Sequence, residues 1–193
     1  FRVLNLESGA TETVLEFPED HLMRTNDGRV HPSGAFWIGT MAKDGKGRPG
    51  AIYRFFEGNL SVLIDGIVTP NSICFTQDGT AAFYTDTPNR IIWKVPTDPA
   101  TGEITGEREV HVGPSIDSQG HPDGSVLDSE GNLWNARWGG SAIEVYDPDG
   151  NRIKSYPLPV KQPTCPAFIG PELDQIVTTS ARVDLEDPKR EDG

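Results

Sequence analysis

The sequence predicts an all-β protein of the β-propeller class, and two observations support that prediction. First, 21 glycines and 16 prolines divide the 193 residues into short apolar runs, which is typical of many strands joined by turns. These runs show no amphipathic helical periodicity. Second, a unit of four predicted strands restarts at Asn26, Asn71, Asp123 and Thr164, about every 40–50 residues, which is the period of propeller blades. A β-sandwich is the alternative fold.

The first two repeats are predicted from apolar runs bounded by turn residues. Within residues 1–68 these strands are Phe1–Leu6, Thr13–Phe17, Ala35–Met41, Ala51–Phe56 and Leu60–Ile64. The first pair is joined by a turn at 7–10, and Asp27-Gly28 predicts a further turn. Because the chain starts with only two strands before the first complete repeat, residues 1–23 are interpreted as the tail of one blade, followed by a full blade over 24–68.

The remaining repeats follow the same pattern. The third, 69–119, has strands at Ile73–Thr76, Ala81–Asp86, Ile91–Val95 and Glu109–Val112. The fourth, 120–161, has strands at Ser125–Leu127, Leu133–Arg137, Ile143–Tyr146 and Ile153–Pro157. The last, 162–193, is incomplete, with strands at Gln162–Phe168 and Gln175–Thr179. The sequence therefore predicts a single partial domain of about four blades.

Composition excludes several classes of function. A net charge of −12 disfavours nucleic-acid binding, which needs a basic surface. No apolar run approaches the roughly 20 residues that span a bilayer, and no export signal opens the chain. The only cysteines, Cys74 and Cys165, are interpreted as reduced thiols rather than a disulfide or a nucleophile. We expect no nucleic-acid or membrane partner and a cytoplasmic location.

The stretch from Gln119 to Trp134 contains the clearest candidate site. A polar loop with Asp123 precedes an apolar run, and the same arrangement surrounds Asn71 and, more loosely, Asn26. If the repeats are blades, these three side chains occupy equivalent places and converge on one axis. Amide and carboxylate oxygens suit a hard cation such as Ca²⁺. An Asn or Asp beside Gly usually only completes a turn, and Asp27, Asp78, Asp128 and Asp149 are interpreted in that way.

Several motifs together resemble one known family, the gluconolactonase, senescence-marker-protein-30 (SMP-30) and regucalcin-like (LRE) family of six-bladed propellers. The matching stretches are Arg24-Thr-Asn-Asp-Gly28, Pro32-Ser-Gly34, Gly39-Thr-Met41, Thr69-Pro-Asn-Ser72, Tyr84-Thr-Asp86, Pro122-Asp-Gly124, Asp128-Ser-Glu-Gly131, Leu133-Trp134 and Gly139-Gly140. Their order and spacing hold across nearly the whole chain.

The resemblance implies a metal-dependent hydrolase that opens sugar lactones. It implies one divalent metal ion, Ca²⁺ first and Mg²⁺, Mn²⁺ or Zn²⁺ as alternatives, bound by Asn71 and Asp123. Asp123 would also be the general base and acid, and Arg24 and Asn26 would contact the substrate. The family's third ligand, a Glu from an N-terminal Glu-Gly-Pro-like segment, has no match in this sequence. The chain is therefore expected to be a fragment without its N- and C-terminal parts, and to be poorly active alone.

Other functions stay open at this point. A non-catalytic calcium-binding or scaffold propeller of the regucalcin type is the main alternative, and a hydrolase of phosphotriesters or other esters is another. A serine hydrolase built on Ser125, His121 and Asp123 is disfavoured, because no Gly-x-Ser-x-Gly elbow is present.

Overall fold

The computed structural model describes residues 1–18, 20–114 and 117–193, with the backbone alone at residue 191. Its sixteen strands are β1 Arg2–Leu4, β2 Thr11–Thr13, β3 Met23–Val30, β4 Phe36–Ala42, β5 Gly50–Phe56, β6 Asn59–Ile67, β7 Pro70–Phe75, β8 Ala81–Asp86, β9 Ile91–Pro96, β10 Glu109–Val112, β11 His121–Leu127, β12 Leu133–Trp138, β13 Ala142–Tyr146, β14 Arg152–Pro157, β15 Pro163–Ile169 and β16 Gln175–Ser180. Two short 3₁₀ turns lie at Thr87–Asn89 and Arg190–Asp192.

The strands form five antiparallel sheets in which sequence neighbours are also neighbours in space. Three sheets have four strands each, β3–β6, β7–β10 and β11–β14, and two have two strands each, β1–β2 and β15–β16. The first strands of consecutive sheets, β3, β7, β11 and β15, pack against one another, and we call them the inner strands. Radially repeated four-stranded meanders with inner strands side by side define a β-propeller. The predicted all-β class and propeller architecture are confirmed.

The core lies between neighbouring blades. Trp37 and Ile52 of one sheet pack with Ile73, Phe75 and Tyr84 of the next. All residues of β7 and β8 are buried, since both faces of these strands are covered by adjacent sheets. Strands buried on both faces have continuous rather than alternating apolar sequences. The outer strand β14, in contrast, is almost entirely exposed.

Two local predictions were wrong. Asp27-Gly28 does not form a turn, because β3 runs through both residues and only its pairing with β4 shifts, between Thr25 and Gly28. A Cβ at Gly28 would lie 2.6 Å from Ile38 Cδ1, so the glycine allows close strand approach instead. The first hairpin is also shorter than predicted and extends over 2–4 and 11–13.

The helical content of the described residues is limited to short turns. None of the helices in residues 1–18, 20–114 and 117–193 is both long enough and apolar enough to cross a bilayer.

Candidate active site

All four inner strands carry an irregularity within one residue of the same position. Their pairing with the second strand of the blade shifts between Thr25 and Gly28, Asn71 and Cys74, Pro122 and Ser125, and Pro163 and Cys165. A β-bulge turns a side chain away from the regular alternation and is common beside functional sites. Asn26, Asn71 and Asp123 each lie in or at the edge of such a bulge, so equivalent backbone irregularities present three of the predicted site residues.

Arg24, Asn26 and Asn71 form one hydrogen-bonded group. Arg24 Nη1 donates to Asn26 Oδ1 over 2.9 Å, and Asn26 Nδ2 donates to Asn71 Oδ1 over 2.9 Å. Asn26 Nδ2 also contacts the Pro70 carbonyl at 2.9 Å. The two asparagines belong to neighbouring blades, and their amides fix one another's orientation.

Thr87 connects this group to the strand of Asp123. Asn71 Nδ2 donates to Thr87 Oγ1 over 2.8 Å, and Thr87 Oγ1 donates to the Pro122 carbonyl over 2.9 Å. A continuous polar chain therefore runs from Arg24 through three blades to the residue before Asp123.

The carboxyl group of Asp123 has a strongly raised pKa. Its side chain is half-buried, and loss of water raises its pKa from 3.8 to about 7, with the nearby charge of Asp27 adding to the increase. Only the Gly124 N–H acts in the opposite direction. A carboxyl group that titrates near neutral pH is suited to taking up and releasing a proton.

Asp27, interpreted from the sequence as a turn residue, is part of this electrostatic environment. Its carboxylate accepts hydrogen bonds from the Gly28 N–H at 2.9 Å and from the Ile73 N–H of the next blade at 2.7 Å. Burial raises the pKa of Asp27 as well, opposed by the Ile73 hydrogen bond and by Arg29. Two partly desolvated carboxyl groups thus face the same region of the inner strands.

A second layer of contacts holds the bulge of Asp123 in place. Fully buried Asn135 on β12 directs its Nδ2 at the Asp123 carbonyl, 3.1 Å away, and at Ser125 Oγ, 2.9 Å away. Ser72 of the preceding blade also donates to the Asp123 carbonyl. On the following blade Cys165 packs so closely that a Cβ at Gly124 would lie 2.6 Å from its Sγ. The Asp123 backbone is therefore fixed from its own blade and from both neighbouring ones.

The donor set fits one hard cation in part. Asn71 Oδ1 keeps a lone pair beyond its bond to Asn26, since an amide oxygen can accept two hydrogen bonds. Asp123 has a desolvated carboxylate beside a second acid, and a bound cation would relieve that repulsion. Within residues 1–18, 20–114 and 117–193, however, no three His, Cys, Asp or Glu side chains are grouped as metal ligands. The described residues would supply only part of a coordination sphere.

The structure joins Arg24, Asn26 and Asn71 by hydrogen bonds and places Asp123 on the neighbouring inner strand, and it adds four residues that the sequence analysis missed. The added residues are Asp27, Ser72, Thr87 and Asn135. Ser72 directly follows Asn71, as Asp27 directly follows Asn26, and this regularity is visible in the sequence. Thr87 and Asn135 belong to other strands and turns, and no sequence pattern links them to the site.

The two cysteines are free thiols. Burial raises the pKa of Cys165 to about 11, with Asp27 and Asp123 contributing, and it raises the pKa of Cys74 further. Both sulfurs are protonated near neutral pH, so neither is an activated nucleophile.

Fold and site together define a β-propeller with an oxygen-rich site on its bulged inner strands. The chain belongs to the SMP-30/Gluconolactonase/LRE-like family, whose model matches residues 1–182. It is 44% identical over 167 residues to the protein of Rhizobium meliloti (strain 1021) named "Putative sugar lactone lactonase", covering 86% of this chain and 56% of that protein. It is 36% identical over 188 residues to an L-arabinolactonase of Azospirillum brasilense, covering 95% of this chain and 61% of that protein.

A solved structure agrees with the family assignment. The calcium-binding protein regucalcin from Agrobacterium tumefaciens superimposes with a TM-score of 0.92 at 44% identity, over 96% of this chain and 63% of that one. The chain therefore spans 56–63% of the length of these three relatives.

Proposed function

We propose that the protein hydrolyses sugar lactones, with Asp123 as the group that takes up and returns the proton. The observation that carries this proposal is the position of Asp123. Its half-buried carboxyl group lies on the bulge of an inner strand that packs against the inner strand of Asn71, and its pKa is raised to about 7. A general base is most effective when its pKa lies near the working pH.

The proposed reaction is the addition of water to a cyclic ester. Asp123 removes a proton from the attacking water while the water oxygen bonds to the lactone carbonyl carbon. When the bond between that carbon and the ring oxygen breaks, Asp123 returns the proton to the ring oxygen. The products are one carboxyl group and one hydroxyl group on an open chain, and Asp123 ends in its starting state.

Arg24 and Asn26 are the proposed substrate-binding residues. Arg24 is exposed, and its guanidinium is held against Asn26 Oδ1. Its remaining N–H groups are suited to sugar hydroxyls and to the negative charge that develops on the carbonyl oxygen. Asn26 is oriented from both sides, by Arg24 and by Asn71, and is therefore pre-organised for binding.

A divalent cation, Ca²⁺ in the first instance, belongs to the proposal, with Asn71 and Asp123 among its ligands. When bound, such an ion supplies Lewis-acid polarisation of the lactone carbonyl. Asn71 is suited to this role because its amide is fixed by Asn26 and Thr87. Asp123 is suited because it lacks a nearby cation among the groups that set its pKa. A cytoplasmic location also stays part of the proposal and rests on the free thiols.

The names of the relatives support lactone hydrolysis as the activity. Proteins named as an L-arabinolactonase and a pentonolactonase align over 84–95% of this chain at 32–36% identity. A second candidate, a calcium-binding propeller without catalysis, is favoured by the close fit to the structure described as calcium-binding regucalcin.

One experiment separates the two candidates. Acid release from D-glucono-1,5-lactone and from pentonolactones is measured for the full-length protein with Ca²⁺, Mg²⁺, Mn²⁺ or Zn²⁺, and for Asp123→Asn. We expect metal-dependent turnover that falls by about 100-fold or more in the variant, the usual range for losing a general base. Asp149→Asn, at an exposed hairpin position, is the matched control and should retain full activity. Calcium binding without turnover of any lactone would favour the non-catalytic candidate.

A further inference from the structure

A large cavity lies beside the candidate active site and is separate from it. Its volume is about 780 Å³, and its walls include Trp138, Lys161, Gln162, Asp184 and Asp187. Trp138 pairs with His121 across β11 and β12, so the cavity lies at the end of the blade where the strand of Asp123 begins. None of the four predicted site residues lines it. The volume falls within the range of small-molecule sites.

Gln162, in the wall of this cavity, has an unpaired hydrogen-bond acceptor. Its side chain is only 5% exposed, and its Nε2 donates to the Val183 carbonyl over 2.8 Å. Because the Val183 carbonyl can only accept a hydrogen bond, the Gln162 amide must present Nε2 to it. Gln162 Oε1 therefore makes no contact with this carbonyl and needs a different partner. Among the residues that the structure describes, Oε1 has no hydrogen-bond partner. A buried acceptor without a partner costs free energy, and the group needs a donor from water or a ligand.

Part of the wall belongs to a defined segment, 181–192, rather than to a loose tail. The Ala181 N–H donates to the Gln162 carbonyl over 3.0 Å. Asp192 accepts from the Lys161 N–H at 3.1 Å and from the Lys189 N–H at 2.8 Å. These bonds join the segment to the connection that enters β15, and they close the cavity on that side.

The chemistry of the lining selects a class of ligand. Four carboxyl side chains and two lysines contribute to the wall, so the lining is acidic and disfavours an anion. Carboxylates and the Gln162 carbonyl accept hydrogen bonds but do not donate them, and they call for a ligand rich in donors. Trp138 adds a flat apolar surface against which C–H groups can pack. No grouping of three metal-binding side chains exists among the described residues, which disfavours a metal ion.

We propose that this cavity is an accessory binding site for a neutral polyhydroxylated molecule of monosaccharide size. Its hydroxyl groups donate to Gln162 Oε1 and to the wall carboxylates, and its C–H face rests on Trp138. The site does not depend on the proposed lactone chemistry, because it shares no residue with the polar chain of Arg24, Asn26 and Asn71 or with Asp123.

Calorimetric titration of the full-length protein with D-glucose tests the proposal, and D-gluconate serves as a charged comparator. We expect saturable glucose binding, and gluconate binding at least about tenfold weaker. Gln162→Leu removes the acceptor at nearly constant volume and should raise the glucose Kd about tenfold, which corresponds to the loss of one hydrogen bond. Gln77→Leu, at an exposed turn position, is the matched control and should leave the Kd unchanged.

Two further variants make the result decisive. Trp138→Ala provides a second test if Gln162→Leu folds poorly. Trp138 is only half-buried, so this variant should fold, and loss of the ring should weaken glucose binding. Asp123→Asn should leave it unchanged, whatever that variant does to lactone turnover. Absence of saturable binding would mean that water alone fills the cavity and would overturn the proposal. Glucose binding that disappears in Asp123→Asn, or gluconate binding as tight as glucose, would also overturn it.

Discussion

Asp123 is expected to destabilise the metal-free protein in a pH-dependent manner. Its pKa rises from 3.8 to about 7 on folding. Between these two values the unfolded chain has released the proton while the folded chain still holds it, so stability falls as pH rises. Each pKa unit corresponds to about 1.4 kcal/mol. A shift of about 3 units therefore costs about 4 kcal/mol above pH 7 and nothing below pH 3.8.

Replacing Asp123 by Asn removes this cost. In a chelating buffer the variant should be more stable than the wild type by about 4 kcal/mol at pH 8. About 3 kcal/mol of that difference should develop between pH 5 and pH 7, at about 1.4 kcal/mol per pH unit, and the difference should level off above pH 7. The repulsion from Asp27 is one part of this cost, and the neutral amide removes it together with the cost of burial. Urea unfolding of the full-length protein, followed by circular dichroism at half-unit pH steps, measures the difference.

The control is Asp149→Asn, which removes the same charge from an exposed position and should follow the pH dependence of the wild type. Two outcomes would refute the reasoning. If wild type and Asp123→Asn have parallel stability profiles from pH 5 to pH 8, the carboxyl group is not desolvated in the folded protein. If the variant is less stable at every pH, the carboxylate makes a stabilising contact that the structure does not show.

Three other predictions follow from the same contacts. Addition of Ca²⁺ at pH 8 should raise the melting temperature of the wild type but not that of Asp123→Asn. The calcium affinity of the wild type should decline below about pH 7, since protons compete with the cation for the Asp123 carboxylate. Asp27→Asn should shift the acid limb of the pH profile of the proposed lactone hydrolysis to lower pH, because one cause of the raised Asp123 pKa is removed. Gly124→Ala should cost about 1–3 kcal/mol by overpacking against Cys165, measured by urea unfolding, whereas Gly113→Ala, with only Val110 Cγ1 at 3.9 Å, should be neutral.

The fold could be predicted from sequence because a propeller repeats one local pattern. Short apolar runs separated by Gly, Asn and Asp turns recur with every blade, and each predicted strand of the complete blades has a counterpart in the structure. One strand of the blade over 24–68, β3, was not predicted from the sequence. At Asp27-Gly28 the turn chemistry is present, but the glycine serves the close approach of Ile38 and Trp37. Local composition cannot distinguish a turn from a bulge inside a strand.

The candidate site was predictable only in its repeated part. Asn26, Asn71 and Asp123 occupy equivalent positions in the sequence, and the structure gives all three a bulged inner strand. Thr87 follows the second strand of its blade and Asn135 lies within another second strand, and both reach the site through contacts between segments distant in sequence. Such contacts depend on how blades pack against each other. A single repeat contains no information about its neighbour.

The same packing explains why Asp123 differs chemically from its equivalents. Asn26 and Asn71 are neutral, and their side-chain amides are satisfied by a hydrogen bond to each other and by one to Thr87. They can therefore be packed against each other without burying a charge. Among the described residues no side chain donates a hydrogen bond to the Asp123 carboxyl group, and the Gly124 N–H only partly offsets the effect of burial on its pKa. The repeat thus places three similar oxygens at equivalent positions, while the contacts between blades leave one of them basic near neutral pH. That asymmetry is what a proton-transfer role for Asp123 requires.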